Sequence, residues 1–184
     1  VRTELIAMVH PPTAVAELRT FMDSYGDNAE LRATLASALL DVKTATAQEE
    51  ADELLAQILS QEPTHIKALS LRAERLGDEG NFAESAALYE KLIGLNSAIF
   101  MAHYGAATAY LSLGKKEEAL GHLNRYLSVD KTDADALYLR ARTLLELGKL
   151  AEARRDVKAL RKQAPDAPEV DRLEVEILAA ARKL

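Results

Sequence analysis

Three glycines, Gly80, Gly114 and Gly148, stand at a constant interval, 114 − 80 = 34 and 148 − 114 = 34. A fixed interval of this length constrains the chain more than its composition does. It says that one supersecondary unit recurs, and such a unit cannot bury its apolar face without its neighbours. Each glycine is preceded by a segment with helical patterning (IKALSLRAERLGDE, MAHYGAATAYLSL, DALYLRARTLLEL) and followed by another (GNFAESAALYEKLIGL, GKKEEALGHLNRYLSV, GKLAEARRDVKALRKQ). Alanine and leucine dominate and aromatic residues make up only 5% of the chain, which favours helix over strand. The unit is therefore helix, tight glycine turn, helix.

A 34-residue period with this layout resembles the tetratricopeptide repeat (TPR). The small residue of the first helix falls on Ala73, Ala107 and Ala141, with Leu76, Tyr110 and Leu144 as the bulky residue one turn later. In the second helix Ser85, Ala119 and Ala153 are followed by Tyr89, Leu123 and Val157, and Pro63 and Pro165 stand where the family places proline between repeats. The family's tryptophan is missing and its second aromatic survives only as Phe82. The pattern makes physical sense. Small residues let paired helices approach, large ones fill the gap, and glycine tolerates the left-handed conformation that ends the first helix. The resemblance implies an all-α fold, a right-handed superhelical solenoid of antiparallel helix pairs.

The pattern extends upstream. Leu35, Ala36 and Leu39 read as an earlier first helix, and Ala51, Leu55, Ile58 and Leu59 as its second. From Ala36 to Ala73 is 37 residues, and the surplus is expected in a turn at DVKTATAQEE. Residues 12–25, with Ala14, Leu18, Phe21 and Met22, read as a second helix without a clear partner. Four repeats are expected (29–65, 66–99, 100–133 and 134–167), preceded by a helical segment or partial repeat at 1–28 and followed by a capping helix at 168–184. Residues 1–9 are too short and too polar for a membrane span, and without an initiator Met the chain reads as processed, truncated or part of something longer.

Nothing in the sequence argues for an enzyme. His10, His65, His103 and His122 lack metal-ligand spacing and read as solvated or hydrogen-bonded surface histidines. Glu49–Glu50 and Glu117–Glu118 read as charges near helix N-termini that complement the macrodipole. No glycine-rich phosphate loop is present, and the absence of Cys removes thiolate metal sites and Cys nucleophiles. No cofactor and no metal are expected. A net charge of −6 without a basic face argues against nucleic acid.

A partner protein is the expected ligand. In a TPR stack the first helices build the inner face, and their exposed positions recur as ladders. One ladder is Ala33, Ser70, Tyr104 and Tyr138, the next turn gives Ser37, Glu74, Thr108 and Arg142, and the preceding turn gives Glu30, Lys67, Met101 and Asp135. The candidate groove is therefore Lys67, Ser70, Glu74, Met101, Tyr104, Thr108, Asp135, Tyr138 and Arg142, with the two tyrosines as anchors. At the positions of the family's chaperone-tail clamp stand Ala33, Ser37, Leu71, Met101 and Gly105, so that mode of recognition is not expected, and a peptide or amphipathic helix fits better. The cap segment, with Val170, Leu173, Val175, Ile177 and Leu178, reads as apolar around much of its circumference and raises self-association.

Residues 28–97, with the TAQEEA entry and the following GNFAES segment, are also similar to the TPR domain of bacterial cytochrome c maturation proteins. That narrower resemblance implies a periplasmic factor that holds apocytochrome. A third reading makes the array the docking or regulatory part of a larger enzyme.

Overall fold

The computed structural model of the protein describes residues 10–182. The described residues form ten α-helices and no strand: α1 (Pro11–Tyr25), α2 (Ala29–Val42), α3 (Ala45–Gln61), α4 (Ile66–Asp78), α5 (Phe82–Leu95), α6 (Phe100–Ser112), α7 (Lys116–Val129), α8 (Ala134–Glu146), α9 (Leu150–Gln163) and α10 (Pro168–Ala181). The all-α class expected from the repeat is what is found. The reading of residues 1–9, and the last two residues of the cap segment, lie outside the described residues. The chain divides into two compact units, one up to Arg75 and one from Leu76 onward.

The first unit holds α1 to α3 and the part of α4 up to Arg75. Its helices begin where side chains satisfy free backbone donors. Asn28 Oδ1 accepts from Leu31 N at 2.9 Å, Thr44 Oγ1 from Ala47 N at 3.3 Å, and His65 Nδ1 from Ala68 N at 3.3 Å. An N-cap of this kind stabilises by about 1 kcal/mol. Leu18, Leu35, Ala36, Leu39, Ala51, Leu55 and Ile58 form the core. Helix α1, expected to lack a partner, packs on α2 and buries Ala14, Val15 and Leu18 there.

The surplus of three residues is not in the turn. Only Lys43 and Thr44 separate α2 from α3, and α3 has 17 residues where α5, α7 and α9 have 14, so 17 − 14 = 3. The reason is local. Thr44 caps the helix and the segment after it is rich in good helix formers, so the extra residues extend α3. Lys43 ends α2 in the left-handed conformation (φ 60°) without glycine.

In the second unit the expected glycine turns recur. Gly80, Gly114 and Gly148 have φ of 81°, 75° and 72°. After each glycine the next N–H donates back across the turn, Asn81 to Leu76 O at 2.8 Å, Lys115 to Tyr110 O at 2.9 Å and Lys149 to Leu144 O at 2.8 Å. This is the Schellman closure, and it satisfies carbonyls that the end of a helix would leave free. Between pairs, short turns close through Ile99 N to Asn96 O (3.0 Å) and Ala167 N to Ala164 O (3.4 Å), and Asp133 Oδ1 caps α8 by accepting from Ala136 N at 2.8 Å.

The small positions Ala73, Ala107, Ala141, Ser85, Ala119 and Ala153 are all buried, as are Leu76, Leu144, Leu123 and Val157. Tyr89 and Tyr110 are only half-buried. The Tyr110 hydroxyl reaches Glu90 Oε1 at 3.0 Å, and the Tyr89 ring lies over Gly105, where an added Cβ would sit 2.2 Å from Cζ. Asp156 is buried on α9 and accepts two hydrogen bonds from the Arg140 guanidinium of α8, at 2.8 and 2.6 Å, while Arg140 Nη1 also donates to Asn124 of α7 at 3.0 Å. Three helices are thereby tied through one guanidinium.

The cap helix α10 carries apolar side chains on its outer face as well as its buried one, as the sequence pattern implies. Val170, Leu173 and Ile177 are buried, whereas Val175 and Leu178 are 63% and 47% exposed. Among the acidic pairs, Glu117 and Glu118 do sit in the first turn of α7. Glu49 and Glu50 do not, because α3 starts at Ala45, and Glu50 instead pairs with Arg19 of α1 at 2.6 Å.

Candidate partner-binding surface

Residues three and seven apart on a helix lie on one face, and each predicted triplet has this spacing. In the first unit the triplet is Lys67, Ser70 and Glu74 of α4. Glu74 is exposed, while Lys67 and Ser70 are half-buried. Lys67 Nζ donates to Thr34 Oγ1 at 2.7 Å and lies 3.5 Å from Glu30, so its charge is already partly answered by α2. Ala33, placed on the same ladder by sequence, is fully buried. It belongs to the cluster of Ala14, Val15 and Leu18, since α1 covers α2 there, and it is not a groove residue.

In the second unit the triplets are Met101, Tyr104 and Thr108 on α6, and Asp135, Tyr138 and Arg142 on α8. Met101 is 55% exposed, and Asp135 and Arg142 are also exposed. Tyr104 and Tyr138 are half-buried, packed at their bases against the core. Thr108 turns its hydroxyl back to Gly105 O at 2.8 Å. Tyr104 does not pack on Tyr138 in a ladder of exposed rings. Its ring contacts Tyr126 of α7, with centroids 5.3 Å apart, and Tyr126 also meets Phe100 at 5.6 Å. The Tyr126 hydroxyl donates to Asp133 Oδ2 at 2.7 Å. That bond, with burial, pushes the Tyr126 phenol up to about 12. Burial, then the charges of Asp135 and Asp133, raise Tyr104 as well. Phe100 and Tyr126 were not singled out by the sequence reading. Tyr126, backed by Phe100, packs on the Tyr104 ring, and such packing lowers the entropy the ring would lose on meeting a partner.

A second cluster joins α5, α6 and α7. His103 Nδ1 and His122 Nδ1 are 3.0 Å apart, His122 Nε2 lies 3.0 Å from Glu90 Oε1, and the same carboxylate oxygen accepts from Tyr110. Tyr110 stacks on His122 at 5.4 Å, with Lys115 Nζ 5.7 Å from the Tyr110 ring. With both imidazoles neutral the chain of bonds is self-consistent: His103 donates to His122, and His122 donates to Glu90. Burial first, then His122 and Arg125, lower the His103 pKa. The histidines are thus hydrogen-bonded to each other. Their 19-residue separation, linking a first helix to its own second helix, was the available signal. Among the described residues no three or more His, Cys, Asp or Glu side chains are grouped to hold a metal, and no helix is long and apolar enough to cross a membrane.

Two tetratricopeptide-repeat family models match the chain, over residues 71–136 and 117–177, and together they span 71–177, more than half of the 184 residues. Curated relatives include the tetratricopeptide repeat and J domain-containing co-chaperone DNJ1 of Cryptococcus neoformans, 34% identical over 87 residues, 47% of this chain and 17% of that protein. The peptidyl-prolyl cis-trans isomerase FKBP42 of Arabidopsis thaliana is 33% identical over 44% of this chain and 22% of its own length. DnaJ homolog subfamily C member 3 of Rattus norvegicus is 30% identical over 49% of this chain and 18% of its own. The chain therefore matches about a fifth of the length of each. Among solved structures, MamA from Desulfovibrio magneticus RS-1 superposes with a TM-score of 0.71 at 20% identity, over 85% of this chain and 91% of that one. The second TPR domain of human RPAP3, solved in complex with an HSP70 peptide, gives 0.53 at 24% identity, over 58% and 88%. These likenesses speak to fold. None of these proteins is named as a cytochrome c maturation protein, and that narrower resemblance is left without support. With the 34-residue period, the left-handed glycines that close three of the helix pairs and the two matching models in agreement, the chain belongs to the tetratricopeptide-repeat family.

Proposed function

We propose that this chain is a protein-interaction scaffold that holds a peptide or helical segment of a partner against the exposed face of its first helices. In the second unit the surface is Met101, Tyr104 and Thr108 with Asp135, Tyr138 and Arg142, and in the first it is Lys67, Ser70 and Glu74. One observation carries the reading. Tyr104 packs against Tyr126, which is itself in contact with Phe100, while its neighbour Met101 stays open to solvent. A pre-ordered aromatic beside an exposed flexible apolar side chain suits an interface anchor. The flanking Asp135 and Arg142 would give the partner charge-dependent orientation. Repeat boundaries at 29–65, 66–99, 100–133 and 134–167, with flanking segments 1–28 and 168–184, are part of this proposal. A photo-cross-linking residue placed at Met101 or Arg142 should capture the partner, and one at Glu117 on α7 should not. Equal capture from all three positions would remove the assignment.

The reading of the array as the docking or regulatory part of a larger enzyme is favoured by one comparison. The named isomerase and co-chaperone relatives are matched over only 17–22% of their lengths. Sequencing the reading frame on both sides of this chain tests it, and an uninterrupted frame with no further domain would rule it out.

A further inference from the structure

Between α9 and α10 lies a cleft of about 390 Å³. Its floor is apolar, made by Val157, Ile177 and Leu178, of which the first two are buried and Leu178 is 47% exposed. Its rim is charged. Arg161 is spent on α10, where it pairs with Asp171 and with Glu174 at 2.6 Å, and it also donates to Pro165 O at 2.9 Å. Of the four carboxylates of α10, Asp171 and Glu174 are therefore answered by one guanidinium, and Glu174 is the one that lines the cleft. Arg154 and Lys158, one turn apart on α9, line the same cleft, are exposed, and make no ion pair with any described residue. Asp156 between them is buried against Arg140 and does not neutralise them. Helix α9 carries Arg154, Arg155, Lys158, Arg161 and Lys162 against Glu152 and Asp156, 5 − 2 = +3, and α10 carries Arg172 against Glu169, Asp171, Glu174 and Glu176, 1 − 4 = −3, so the basic character belongs to the α9 wall of the cleft.

We propose that this cleft is a second docking site, separate from the first-helix surface, and that its occupant is an acidic amphipathic helix of a partner protein. The apolar floor requires an apolar stripe, because Leu178 and the neighbouring Val175 are left open to solvent. The two cations at i and i+4, unanswered among the described residues, require carboxylates at a matching one-turn spacing, which a helix supplies and which sets the orientation of the bound segment. A basic or neutral helix would bury the floor equally well but would leave Arg154 and Lys158 facing no counter-charge.

The test uses the full chain and a fluorescein-labelled designed helical peptide of about 16 residues, with a leucine stripe flanked by glutamates four apart. Its twin has lysine at every glutamate. Fluorescence anisotropy should show the acidic peptide bound and the lysine twin bound about tenfold more weakly or not at all, equivalent to about 1.4 kcal/mol. The double variant Arg154→Glu/Lys158→Glu should lose about tenfold, and Leu178→Glu should lose at least as much, both with unchanged helical circular dichroism. Tyr104→Ala/Tyr138→Ala should leave this binding intact, which separates the cleft from the first-helix surface. Absence of acidic-peptide binding, equal affinity for both peptides, or indifference to the charge reversal would overturn the proposal. So would light scattering that shows a dimer abolished by Leu178→Glu, since the face would then belong to a second copy.

Discussion

Gly105 and Gly121 both sit inside helices, and the same substitution should act in opposite directions at the two. Replacing glycine with alanine in a helix interior normally stabilises by about 0.5–1 kcal/mol, because alanine loses less backbone entropy. At Gly121 on α7 nothing lies within 4 Å of the added Cβ, so that gain should appear in full. At Gly105 on α6 the added Cβ would meet three ring atoms of Tyr89, at 2.2, 2.4 and 2.6 Å. Carbon atoms in contact prefer about 3.5–4.0 Å, so either the ring must swing off the helix or α5 and α6 must part. Forcing a carbon into such a contact costs about 1–3 kcal/mol. After the entropic gain is subtracted, Gly105→Ala should destabilise by about 0.5–2 kcal/mol, a fall in Tm of about 1–8 °C for a chain of this size. Thermal and urea denaturation followed by far-UV circular dichroism would read both variants, and Tyr89→Ala should remove the penalty in the Gly105→Ala background. If Gly105→Ala proves as stabilising as Gly121→Ala, the ring does not cover α6 and the packing of this pair is misassigned.

Four further outcomes follow from the same structure. Arg140→Leu leaves Asp156 buried without its partner and should cost about 3–5 kcal/mol in urea denaturation, whereas Arg154→Leu, at an exposed neighbour with no ion pair among the described residues, should change little. Ala141→Leu should cost about 1–3 kcal/mol by overpacking a fully buried helix crossing. Lys43→Gly should stabilise by about 0.5–1 kcal/mol, since the left-handed conformation strains a residue with a Cβ. Two of the shifted groups give stability a pH dependence at opposite ends. Folding raises the Tyr126 phenol to about 12, so its contribution is full below about pH 10 and is lost as pH rises toward 12. Folding lowers His103, so its contribution is present above about pH 6.5 and is lost as pH falls through the folded value. Denaturation midpoints across pH, compared with Tyr126→Phe and His103→Asn, would check both.

How much of this was legible in the sequence depends on whether the relevant signal was periodic. Gly80, Gly114 and Gly148 announce the turns because each performs the same backbone task, and Ala107, Ala119, Ala141 and Ala153 announce the core because each meets a similar neighbour. Lys43 performs the glycine's task without being glycine, so the first turn was drawn too long and the three extra residues were assigned to it instead of α3. Ala33 has a groove position by register, but α1 lies against α2 and buries it. Register cannot report a neighbour that falls outside the period. The Arg140–Asp156–Asn124 tie and the His103–His122 contact join residues 16 and 19 apart, and no single helix reveals that such side chains will meet. For the tyrosines, spacing placed Tyr104 and Tyr138 on one face, but it could not show that Tyr126 would pack on Tyr104.

Quantitative capture from the source cell extract, with the intact chain and its Tyr104→Ala/Tyr138→Ala variant immobilised side by side, bears most directly on the scaffold assignment. At least one protein should be retained by the parent chain and depleted about tenfold on the variant, while both chains show the same helical spectrum. Identical retained proteins in identical amounts would mean that the first-helix tyrosines serve packing alone and that partners are held elsewhere.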